Sequence, residues 1–294
     1  MRALYDVAAP AKLNLFLHIT GRRDDGYHLL QSAFMLLDWH DSLNFELRPG
    51  GALSREDLGA PLPEDDLSLR AARALQQATG CTAGAHIHVL KRLPAEAGMG
   101  GGSSDAASCL LALNRLWGLG LALPALEAIG VKLGADVPFF LRGRNAWVEG
   151  IGEKITPVAL PPARFVVVKP PRGLSTADIF GHPTLKRDSS GATIYGFAAD
   201  PWRFGHNSLE PVARLLNPQV GEALEYLASQ GLAARMTGSG SAVYALLPPD
   251  KLPGQVLAQS PARWASEGWL VRECGNLEFH PLVGWASSDD SVGS

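Results

Sequence analysis

The chain has 294 residues, 46% hydrophobic and 19% charged, with a formal net charge of −3. At roughly 150 residues per domain this length suggests two domains, and the apolar content is enough for sizeable cores. The slight acidity argues against a non-specific nucleic-acid footprint. Three scattered cysteines, Cys81, Cys109 and Cys274, leave no CxxC pair for a thiolate metal site or a disulfide framework.

The N-terminal stretch is interrupted by Asp6, Pro10 and Lys12, so it lacks the apolar core of a signal peptide. No run approaches the ~20 apolar residues of a membrane helix. A cytoplasmic protein is expected. Leu13, Leu15, Leu17 and Ile19 alternate with Lys12, Asn14, Phe16 and His18. That period predicts a half-buried strand with Lys12, Asn14 and His18 on the face away from the leucines. Residues 21–28 read as a turn-rich connection. Strands are predicted at 32–38 and 42–47, then a loop over 49–66. A helix runs from Leu67 to a stop at Gly80, and a strand covers 86–91. Beyond a glycine-rich stretch, Ala106, Leu110, Leu113 and Trp117 share one helical face. A second helix covers 123–132 and a strand lies near 146–149.

Pro157, Pro161 and Pro162 suggest a boundary between domains 1–156 and 157–284. A strand at 165–169 follows, with helices at 176–180, 208–216 and 220–229 and strands at 233–236 and 243–247. Residues 181–206 are rich in Gly, Pro and Ser and read as mobile. The polar end, 285–294, reads as a disordered tail. Strands outnumber clean βαβ units, so the class is α+β.

The stretch LPAEAGMGGGSSDAAS, Leu93 to Ser108, precedes the second helix. It has no lysine where a GxxxxGK[ST] loop requires one, and its spacing fits neither GxGxxG nor GxSxG. Glycines nevertheless let backbone N–H groups approach an anion, and the helix N-terminus behind them adds partial positive charge. A hinge before a helix is the alternative. Asp105 would repel a phosphate if it faced inward, so it is expected to cap the helix and face away. A second Gly-Ser element, MTGSGSAVYAL, begins at Met236. It reads either as a plain turn before a strand or as a second wall of one anion site. In GADVPFF, from Gly134, Pro138 is expected to keep Val137 extended, leaving Asp136 partly desolvated beside an apolar run. Lys12 is the candidate counter-cation, and such a pair suits phosphoryl transfer. The alternative leaves Asp136 capping a turn and Lys12 on the surface. His86 and His88 stand two apart on a strand and read as sheet residues rather than metal ligands.

Together, PAKLNLFLHITGRRDDGYH (from Pro10), LPAEAGMGGGSSDAAS (from Leu93) and TGSGSAVYAL (from Thr237) resemble the three signature motifs of the GHMP kinases. AKLNL with ITGRRDDGYH, LGADVPFFLRG, AWVEGIGE and EDDL are similar to the branch acting on 4-diphosphocytidyl-2-C-methyl-D-erythritol. The resemblance is dense over positions 8–175 and patchier beyond. It implies a two-domain α+β fold with the site in the inter-domain cleft. It also implies phosphorylation of the substrate's 2-hydroxyl by ATP with Mg²⁺, in the non-mevalonate route to isoprenoid precursors. Mevalonate-like and homoserine-like kinases are the alternatives within the family, and a non-catalytic nucleotide- or RNA-binding module lies outside it.

Carried over by position, Asp136 is the general base and Lys12 its partner. Leu67, Lys91, Pro94, Gly98, Met99, Gly100, Gly101, Gly102, Ser103 and Ser104 face ATP. Asn14, Tyr27, His28, Phe34, Ile151, Thr176, Phe180, Gly238 and Ser239 face the acceptor, with Tyr27, His28 and Phe180 around the cytosine. The partners implied are the two small molecules, with no nucleic acid and no membrane, for a monomer or homodimer; the metal ligands stay unassigned. Ala95, Ala97 and Asp105 depart from the family's loop, which often carries more glycines and an Asn at the last position.

Overall fold

Two long antiparallel strands, β1 (Ala3–Arg22) and β2 (His28–Arg48), form the spine of the fold in a computed structural model that describes residues 1–251 and 254–288. The two strands predicted at 32–38 and 42–47 are parts of the single strand β2. The loop expected over 49–66 contains β3 (Leu53–Asp57), which runs parallel to β4 (Gly84–Leu90). Between them lies α1 (Leu67–Thr79). Asp66 accepts the backbone N–H of Ser68 and Leu69 at its start, and Gly80 ends it at φ +68°. Then come α2 (Gly101–Leu116), α3 (Leu123–Gly130), α4 (Val137–Arg142), β5 (Ala146–Gly150) and β6 (Lys154–Pro157). The first sheet has the order β3-β4-β2-β5-β6, with β1 also on β2. Helices cover one face, burying Phe45, Leu75, Ile87, Leu110 and Phe140 in one core.

The second unit opens with β7 (Arg164–Lys169), α5 (Thr176–Gly181), α6 (Ile194–Ala199), α7 (Glu210–Leu216) and α8 (Pro218–Ser229). It continues with β8 (Ala234–Met236), β9 (Val243–Leu247), α9 (Gln255–Ala258), α10 (Ala262–Ser266) and β10 (Leu270–Gly275). Its sheet order is β10-β7-β9-β8. Val166, Val168, Leu224, Leu227 and Trp264 belong to its core. A third cluster joins the sheets: Leu13, Leu15, Phe16 and Trp39 pack with Phe165, Val167 and Tyr244.

That third cluster overturns the half-buried reading of the first strand. Leu13 and Leu15 are buried, and so are Lys12, Asn14, Phe16 and His18. Alternation implies an exposed face only when one side of a sheet meets water, and this strand is covered on both. Val137 is helical rather than extended: α4 starts there, with Pro138 in the first turn, where its missing N–H costs nothing.

Residues 181–206 are built rather than structureless. They include α6, whose Phe197 is buried, and the Ser189 N–H donates to the carbonyl of Ile19. The chain also crosses back before 284, because Leu277, Leu282 and Trp285 pack on the first core. The expected tail is ordered at its start: the Arg115 guanidinium lies 4.7 Å from the Trp285 ring centroid, and Ser287 accepts from the Leu123 N–H. Positions 289–294 of that tail lie outside the described residues. No helix among the described residues is long and apolar enough to cross a membrane.

The buried Tyr244 hydroxyl lies 3.1 Å from the Asn14 carbonyl and 3.0 Å from that of Leu15, hydrogen-bonding β9 to β1. Tyr244→Phe is expected to lower unfolding stability by about 1–2 kcal/mol, since buried acceptors lose their donor. A shifted urea midpoint at unchanged slope would report it; an unmoved midpoint would show that the hydroxyl contributes nothing.

Candidate active site

Four register shifts interrupt the pairing of β1 with β2, and two of them, between Pro10 and Lys12 and between Asn14 and Leu17, flank the site. Such bulges re-aim side chains. Val7 and Ala9 enter the helix-covered core, whereas Ala11, Leu13 and Leu15 enter the inter-sheet core. Lys12 and Asn14 are thereby turned toward the helices. Lys12 is 4% exposed, which rules out the surface reading. Its Nζ donates to Asn14 Oδ1, lies 3.5 Å from Asp136 Oδ2, and sits 4.6 Å from the Phe34 ring centroid. Asp136 stands at the head of α4, but its side chain caps nothing. The carboxylate stays partly open to solvent beside the ammonium.

The two Gly-Ser loops touch. A Cβ on Gly98, which has φ +71°, would lie 2.2 Å from the Thr237 carbonyl oxygen, and one on Gly238 would lie 2.6 Å from that of Gly98. Ser241 and Ala242 donate their N–H groups to the carbonyls of Glu96 and Ala97. The Asn14 N–H donates to Thr237 Oγ1, and the Lys12 N–H to the Met99 carbonyl. Three segments far apart in sequence are thus hydrogen-bonded together. Behind the first loop, α2 begins with no side-chain cap, and its first backbone bond runs from the Ser104 N–H to the Gly100 carbonyl. The N–H groups of Gly101, Gly102 and Ser103 therefore have no partner within the helix, the arrangement that receives an anion.

Asp105 does not cap this helix. It lies inside α2, 3% exposed, with Oδ2 2.6 Å from Lys91 Nζ, and Lys91 also pairs with the buried Asp41. Asp41 in turn accepts the N–H groups of Arg92 and Leu93, fixing the entry to the glycine loop. Burial pushes the Asp105 carboxyl up to about 7 against the pull of Lys91. Lys91 is held above the ordinary lysine value because its two carboxylates outweigh its own burial. Asp105 Oδ1 has no hydrogen-bond partner among the described residues. Ser104 is fully buried and does not reach the cleft.

At the far end, His28 and Phe180 have ring centroids 5.0 Å apart, and Tyr27 is 61% exposed. Arg187 Nε donates to His28 Nε2 at 2.9 Å, so the proton of a neutral ring sits on Nδ1. Burial, then the charges of Arg187 and Arg22, hold the His28 imidazole below its ordinary value. Arg187 also donates to the Phe180, His182 and Leu185 carbonyls, tying the start of the 181–206 segment to His28.

Every residue that the sequence assigned to catalysis, ATP or the acceptor lines one cleft of about 1290 Å³ except Ser104. That exceeds the ~300–1,000 Å³ of a single-ligand pocket and has room for two. Arg187 was invisible in the sequence because its loop carries no pattern. Asp41 gave no distinct signal either, since Asp38 and Glu46 stand in the same strand.

Residues 66–144 match the GHMP kinase N-terminal domain and 197–265 the GHMP kinase C-terminal domain. A 4-diphosphocytidyl-2-C-methyl-D-erythritol kinase from Paracidovorax citrulli is 62% identical, with 99% of this chain and 100% of that protein covered. One from Delftia acidovorans is 63% identical, covering 98% and 99%. A crystal structure of 4-(cytidine 5'-diphospho)-2C-methyl-D-erythritol kinase superposes with a TM-score of 0.75 at 33% identity, covering 92% of this chain and 98% of that one. With two glycine loops closed on each other beside a buried lysine paired to a partly open aspartate, this chain belongs to the GHMP kinases, the ATP-dependent small-molecule phosphotransferases, alongside those relatives.

Proposed function

We propose that the chain transfers the γ-phosphate of ATP to the 2-hydroxyl of 4-diphosphocytidyl-2-C-methyl-D-erythritol, in the cytoplasm, on the route to isoprenoid precursors. The observation that carries this reading is the position of the Lys12–Asp136 pair. It lies in one cleft between an uncapped helix N-terminus and an aromatic–imidazole pocket. The triphosphate binds along Gly98–Ser103, where backbone N–H groups and the α2 N-terminus face it. Ser103 and Asp136 supply oxygen donors at the cleft wall, a hard set that suits Mg²⁺ held mainly by phosphates and water. Bound there, Mg²⁺ would neutralise phosphate charge.

Asp136 accepts the proton of the attacking hydroxyl, and Lys12 stabilises the charge that develops as the phosphoryl group moves. Asn14, through its bond from Lys12, holds the ammonium in place. The cytosine stacks between Tyr27 and Phe180, and the proton on His28 Nδ1 is free to donate to the base. Arg187 acts through His28 by fixing that tautomer. A small alcohol such as mevalonate or homoserine has no use for this end of the cleft.

Asp136→Asn is expected to lower turnover by about 10²–10⁴-fold, with the KM for ATP nearly unchanged; near-normal turnover would remove Asp136 as the base. A coupled ADP-release assay tests the acceptor: activity is expected with the cytidine-linked alcohol and absent with mevalonate or homoserine, and the reverse would refute the assignment. Arg187→Ala should raise the KM for the cytidine-linked substrate while leaving that for ATP alone.

The Lys91 cluster makes a separate prediction. The folded value of Asp105, about 7, lies above its ordinary 3.8. The native state therefore holds a proton that the unfolded chain has released. The stabilising contribution is full below about pH 4 and is lost as pH rises through 7. Asp105→Asn keeps an oxygen for Lys91 and removes the titration. Its Tm should fall less than that of the parent between pH 5 and 8; parallel Tm profiles would show Asp105 ionised throughout.

A further inference from the structure

The solvent face of β4 carries a cluster that plays no part in the cleft. Along β4, Ala85, Ile87 and Val89 point into the helix-covered core, so His86 and His88 point outward together. Register brings acceptors to them from both sides. On parallel β3, Ser54 is opposite His86 and Glu56 is opposite His88. On antiparallel β2, Glu46 is opposite His86. None of these five residues lines the cleft.

Glu56 Oε2 lies 3.0 Å from His88 Nδ1 and 3.8 Å from His86 Nε2. One ligand atom from each of the three residues falls within 4.8 Å of the others. With metal–ligand bonds of about 2.0–2.2 Å, tetrahedral ligands stand roughly 3.3–3.5 Å apart. The separations at Glu56 bracket that value. The outer partners suit metal binding as well. Ser54 Oγ is 2.7 Å from His86 Nδ1, which leaves Nε2 for an ion. Glu46 Oε1 is 3.7 Å from His88 Nε2, the nitrogen away from the cluster. A solvated His–Glu patch needs no such division of ring nitrogens between an inner and an outer partner.

We propose that Glu56, His86 and His88 form a surface site for a divalent transition-metal ion of the zinc class, with Ser54 and Glu46 orienting the two imidazoles. Two imidazoles and one carboxylate favour zinc, nickel or copper over magnesium or calcium, which prefer all-oxygen shells. The fourth position opens to solvent. An ion there clasps the five-residue edge strand β3 to β4. From the opposite face of β3, Arg55 pairs with Asp66, the residue that caps α1 and lines the cleft. The site therefore braces the wall behind the nucleotide without touching it.

The test is calorimetric titration of the full chain with ZnCl₂ in a non-chelating buffer, with thermal melts in parallel. One ion per chain should bind, and Tm should rise with zinc. His86→Gln, His88→Gln and Glu56→Gln should each weaken binding by more than about tenfold, and Glu46→Gln by about tenfold. Kinase turnover with Mg²⁺-ATP in zinc-free buffer should be unchanged in the His86 and His88 variants, and equal zinc-free melting curves would show that they fold. Zinc binding that survives in the double variant His86→Gln/His88→Gln, or no binding by the parent chain at 100-fold excess metal, would overturn the proposal.

Discussion

A lysine ammonium buried in the middle of a strand is the constraint on which the cleft is arranged. Left unpaired there, the charge would cost several kcal/mol. Its compensation comes from three segments: Asn14 on the same strand, Asp136 at the head of α4, and the ring of Phe34 on β2. A bulge in β1 makes this possible by turning Lys12 away from the inter-sheet core that takes Leu13 and Leu15. The same residue's backbone N–H holds Met99, so the glycine loop is tied to the strand that presents the ammonium.

The glycines serve two demands. Gly98 and Gly238 are sterically required where two loops close on each other, since any Cβ would collide with the opposing backbone. Gly101 and Gly102 open α2, where bare backbone donors face outward. The first demand is structural and the second is chemical, and the run satisfies both because the loop–loop contact sits beside the helix end. Behind it, Lys91 is shared between Asp41 and Asp105. Asp105 adds a second buried carboxyl to one ammonium, and burial raises its affinity for a proton.

Much of the helical framework was legible in the sequence. Leu67 to Gly80 carried a periodic face and a glycine stop, and α1 occupies 67–79. The strands at β7, β8 and β9 were apolar runs bounded by turn residues. What failed did so for identifiable reasons. Alternation in β1 suggested a wet face because a single sequence cannot show that a second sheet lies across it. Pro138 argued for extended backbone, yet proline in the first turn of a helix suits α4 equally well. Arg187 gave no signal, because a residue that works by holding another residue's tautomer leaves no spacing to read.

The sequence by itself determined the chemical vocabulary: two Gly-Ser loops, one carboxylate after a small-residue turn, one lysine in a strand, and an aromatic–imidazole pair. Those are local properties of residue type and spacing, and the family resemblance rested on them. Only the tertiary structure decided that Lys12 is buried, that Asp105 faces Lys91 rather than capping a helix, and that Arg187 reaches His28 across 159 positions. Each of these depends on which surfaces meet. Register shifts, loop closure and the crossing back of residues past 276 set those meetings through packing between distant segments, and no single stretch of chain encodes them.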